Sequence, residues 1–171
     1  MLDNLLTGLV KQYAVNAVVN SSSIPNDKHD SITGLITDGI MSGLMKQAAG
    51  GGLNSIIGML TKSGHVDETT SQNVQNSVIE SLIGKLGIGK GEASHIAAQV
   101  VPATLGALSK NTADKNNTNF DLSSILSALT GGKMGGIDVA GLIDKGFGNG
   151  DGKLDFNDIT SALGHFLGKK G

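Results

Sequence analysis

The chain has 171 residues, a formal net charge of −2 and no cysteine, and its thirteen basic residues are all lysine. With no arginine, no tryptophan and no basic run, it lacks a bidentate reader of phosphate or guanine and a platform for stacked bases, so nucleic-acid binding is not expected. The missing cysteines exclude a disulfide framework and thiolate chemistry. Aromatic residues are only 3% of the chain, so the core must be built from Leu, Ile, Val, Ala and Met, while 26 glycines predict short, closely packed helices.

From the N-terminus, Leu2, Leu5, Leu6, Leu9, Val10, Tyr13 and Ala17 follow the i, i+3, i+4, i+7 stripe of an amphipathic helix. Asp3 stands where a signal peptide would carry positive charge, so this segment reads as mature helix and a cytoplasmic setting is expected. A polar loop with Pro25 spans 20–30. A second stripe, Ile32, Leu35, Ile36, Ile40 and Leu44, follows, with Asp30 as its expected cap. Gly39 and Gly43 share that face, where another helix could approach closely. Gly50, Gly51 and Gly52 break the chain before a short helix through Leu53, Ile56, Ile57 and Leu60. After the polar stretch 61–67, Val74, Val78, Ile79, Leu82 and Leu86 mark a longer helix. The next helix, over 92–109, carries Ile96, Ala97, Val100, Val101, Leu105 and Leu108, and Pro102 should kink or split it. The longest charge-free stretch, 93–109, is too short to span a bilayer, so no transmembrane segment is expected. No alternating run suits a strand. The fold class is all-α, a bundle of short Gly-rich amphipathic helices.

The polar tract 111–119 reads as a linker between a helical domain, 1–110, and a distinct tail, 120–171. In that tail Phe120-Asp121-Leu122, Ile137-Asp138-Val139 and Leu154-Asp155-Phe156 recur 17 residues apart, each followed by an apolar residue four positions after the Asp. This is the pattern of an N-cap flanked by a hydrophobic staple, and it predicts a three-helix unit.

The loop 147–158 carries the most specific chemistry. Calcium takes six to eight oxygens, supplied by an EF-hand loop from alternating positions around a sharp glycine turn. Asn149 and Asp151 fall at positions three and five, Gly152 at six, the Lys153 carbonyl at seven, Asp155 at nine and Asp158 at twelve. Two departures stand against the pattern: Phe147 at position one has no side-chain oxygen, and Asp158 is shorter than the usual glutamate. The competing reading is a Gly/Asn/Asp turn in which Asp155 only caps the last helix. Calcium is the one cofactor that the sequence suggests.

The glycine-rich stretch 84–91 has P-loop spacing, but Gly91 replaces the required hydroxyl residue and the preceding segment reads as helix, so a helix–helix corner is expected. His29, His65, His95 and His165 lack ligand spacing, and no nucleophile elbow is present. The spacing of Asp38, Glu80 and Glu92 does not suggest acid/base work.

Met1-Leu2-Asp3-Asn4-Leu5-Leu6, the Ile24-Pro25-Asn26 segment, and Gly87-Ile88, Ala93, Val101-Pro102 and Leu105-Gly106 together resemble the YidB-like bacterial domain family over about the first 130 residues. That resemblance implies a small helical bacterial protein and carries over no active-site residue. Residues 137–158 are similar to the dockerin and EF-hand class, apart from Phe147. The expected role is a non-enzymatic structural or protein-interaction module that packs with copies of itself or with a partner protein. The alternative is a calcium-binding module whose tail is ordered by the ion.

Overall fold

The computed structural model describes residues 2–20 and 24–132, all of them helix or connecting turn. Six α-helices follow in order: α1 (Leu2–Val19), α2 (His29–Gln47), α3 (Leu53–Thr61), α4 (Glu68–Leu86), α5 (Lys90–Ala113) and α6 (Leu122–Leu129). The fold is all-α, with no strand among the described residues.

Several helix ends have a local cause. Asp67 caps α4, its carboxylate accepting from the Thr70 N–H at 3.0 Å and the Thr70 hydroxyl at 3.2 Å. The α2 cap differs from expectation. A 3-10 turn over Asn26–Lys28 leads straight into the helix, so Lys28 takes the N-cap position without a side-chain bond. Asp30 lies inside the first turn, where its charge faces the positive end of the helix dipole. Gly51, at φ +89°, turns the chain between α2 and α3. Gly87, at φ +68°, closes α4, and Gly89 opens α5 two residues later, which makes the expected corner.

Pro102 does not split α5, which runs unbroken through it. Proline removes the bond to the carbonyl four residues back. Pro102 and Ala98 both lie on the exposed side of the helix, where water can serve that carbonyl.

One aliphatic core joins all six helices, and Leu6, Ile32, Ile36, Ile40, Leu53, Ile96 and Leu105 are among its largest fully buried side chains. Tyr13 and Phe120 pack against its rim. The tightest seam lies between α2 and α4. Gly39 faces Val78 and Gly43 faces Val74, so the two helices run antiparallel. A Cβ at Gly39 would lie 2.7 Å from the Val78 Cα, and one at Gly43 2.8 Å from the Val74 Cα. The close approach anticipated at these glycines is therefore made by a helix of the same chain. Polar bonds extend the seam past its end, where Gln47 donates to the Thr70 hydroxyl at 3.3 Å and accepts from Asn73 at 2.7 Å.

The tract 111–119 is folded onto the bundle. α5 continues to Ala113, Asn117 donates to the Asn111 side chain at 3.0 Å, and a 3-10 turn over Thr118–Phe120 leads into α6. Leu122, Ile125, Leu126 and Leu129 then enter the same core as α1 and α2. The first helix of the expected tail thus packs with the N-terminal helices, and the remainder of that tail lies outside the described residues.

Thr33 and Thr37, both buried, return their hydroxyls to carbonyls one turn back, at 3.1 and 2.9 Å. Thr104 does not: it is 0% exposed and its hydroxyl has no partner. An orphaned buried hydroxyl carries a desolvation cost that an apolar group of the same shape avoids. Thr104→Val is expected to stabilise the chain by about 1 kcal/mol, raising Tm by roughly 2–4 °C in thermal unfolding. A lower Tm would mean that the hydroxyl is bonded.

Candidate functional site

The residues predicted to bind calcium, Asn149, Asp151, Lys153, Asp155 and Asp158, lie outside the described residues, as do Asp138 and His165. The first unit of their 17-residue repeat is described, and it shows what an Asp does at this place in the motif. Asp121 takes an extended conformation (φ −70°, ψ 125°), and its carboxylate accepts from the Ser124 N–H at 2.8 Å. Its carbonyl accepts from the Ile125 N–H at 3.0 Å. Phe120 before the cap packs against the rim of the core and Ile125 four residues after it is buried in the core, at the two positions of a hydrophobic staple. At the other end Gly132 donates to the Ser127 carbonyl at 2.7 Å, with Gly131 and Gly132 at φ +65° and +84°. In this unit the Asp initiates a helix.

The remaining reactive side chains stand apart. His95 pairs with Gln99 at 2.9 Å on the exposed side of α5, and His65 lies exposed in the turn after α3. His29 begins α2, with its Nε2 buried and unpartnered. Among the described residues no three of His, Asp and Glu come together as a metal site would require. Glu80, unpartnered on its own helix, meets Lys46 across the α2–α4 seam at 3.7 Å. With both side chains mostly exposed, that pair contributes well under 1 kcal/mol.

The most connected buried hydroxyl belongs to Ser109. It donates toward the carbonyls of Met59 and Lys62, the latter at 3.0 Å, and accepts from the Gly64 N–H at 3.1 Å. It closes the open end of α3 from the far end of α5. No local pattern signals this role, because the partners are backbone groups 45–50 residues away.

Among the described residues Val15, Val19, Met45 and Ile83 are the exposed large hydrophobics, and the two valines are the most exposed. Val15 and Val19, one turn apart on α1, are 57% and 62% exposed, while Leu6, Val10, Ala14, Ala17 and Val18 of the same helix are buried. Both valines fall off the stripe that defines the helix in sequence, which is why periodicity passed over them. Gly8 and Lys11 continue the exposed side toward the N-terminus, and a Cβ at Gly8 would meet nothing within 4 Å. Among the described residues no helix is long and apolar enough to cross a membrane.

A family model described as "Bacterial protein of unknown function (DUF937)" matches residues 68–171. The match covers α4 to α6 together with all three repeats, and agrees with the bacterial, functionally unassigned character that the resemblance implied. It starts at residue 68, so it overlaps only the later part of the segment on which the YidB-like resemblance rests. No curated protein and no solved structure matches the chain.

Proposed function

The chain belongs to the DUF937 family of bacterial proteins, and on that premise we propose that it is a non-enzymatic, self-associating helical module. The family brings no activity to inherit, so the reading rests on where the side chains go. Buried hydroxyls such as Thr33, Thr37 and Ser109 are committed to backbone carbonyls, and the described histidines are spread over three separate elements. The association half of the reading is carried by one observation, the ridge of Val15 and Val19 on the outer side of α1. The glycine pair that suited a partner helix in sequence is filled by α4, so the partner surface is assigned to α1 instead.

Light scattering over a wide concentration range tests this. The wild-type mass should rise above that of the monomer. Val15→Glu with Val19→Glu should return it to the monomer with an unchanged Tm, because both side chains point away from the core. Uncovering two valines and burying two charges weakens a contact by about 3 kcal/mol, roughly 100-fold in affinity. A wild-type chain that stays strictly monomeric, and captures no partner in pull-downs, would overturn the proposal.

A calcium-binding tail is the second reading, favoured by the oxygen-bearing residues Asn149, Asp151, Asp155 and Asp158 placed around Gly152, with the Lys153 carbonyl between them. Asp121 supplies a rival account for Asp155 alone, since the equivalent position caps a helix. Asn149, Asp151 and Asp158 have no counterpart of that kind. With Phe147 at the first position, binding should be weak, with Kd on the order of 10⁻⁴–10⁻³ M. Calorimetric titration should show heat at millimolar calcium that Asp151→Asn abolishes. Absence of both heat and a melting shift for the wild type removes this reading.

A further inference from the structure

We draw no further inference here: the strongest candidate, the N-terminal turn of α5 at the corner after α4, flanked by the exposed Lys85 and Lys90, carries nothing because no second feature of the structure there points to a ligand.

Discussion

Alanine at both Gly39 and Gly43 should destabilise the chain by about 2–4 kcal/mol, whereas alanine at Gly34 of the same helix should stabilise it by about 0.5–1 kcal/mol. The obstacle at the first two sites is backbone: the new Cβ atoms would lie 2.7 and 2.8 Å from the Val78 and Val74 Cα atoms. A side chain could rotate aside, but a Cα moves only with its helix, so α2 and α4 must separate along a buried seam. Overpacking of this kind costs about 1–3 kcal/mol per site, partly offset by the better helix propensity of alanine. The two sites share one partner helix, so their effects should not add simply. At Gly34 a Cβ meets nothing within 4 Å, and only the propensity gain remains. Urea unfolding reads the contrast as midpoints moving in opposite directions at constant slope. Equal midpoints for Gly39→Ala and wild type would show that the helices are farther apart than described.

Leu126→Ala is expected to lower the main unfolding transition by roughly 5–15 °C, corresponding to about 2–4 kcal/mol for a buried leucine truncated to alanine. Leu126 is 0% exposed, and α6 has only eight residues, too few to persist without packing. Because Leu122, Ile125, Leu126 and Leu129 share a core with α1 and α2, the loss should pass to the whole bundle. Scanning calorimetry distinguishes the two arrangements. A new low-temperature transition beside an unmoved main one would make α6 part of a separable unit, as a linker at 111–119 would have it.

The helical stripes were legible because aliphatic side chains recur at helical spacing. Ile32, Ile36, Ile40 and Leu44 are all buried as that spacing requires, and so are Ile96, Val100, Leu105 and Leu108. The Asp121 cap was legible because both its chemistry and its staple are local. Other features depended on their surroundings. Asp30 looked like a cap, but the preceding 3-10 turn starts the helix upstream of it, at His29. Gly39 and Gly43 showed that some helix comes close, without saying which. The Asn-rich tract 111–119 read as a linker from its polarity, whereas α5 claims its first residues and Asn111–Asn117 bonding holds part of the rest. Of the candidate sites, the calcium residues lie beyond what is described, and the valine ridge is defined only by what the bundle leaves uncovered.

The Ser109 hydroxyl has a consequence for dissecting the protein. Its acceptors and donor lie at 59–64, whereas Ser109 itself falls within the stretch 68–171 matched to the family. The α2–α4 seam crosses the same line, with its glycines before residue 68 and its valines after it. A fragment cut at 68 would bare Val74 and Val78 and leave Ser109 without its backbone partners. The complementary N-terminal piece would keep α3 with an unclosed end. During synthesis that end must wait for α5 to emerge before it can close. Expression trials should therefore keep α2 and residues 59–64 on the same chain as α4 and α5.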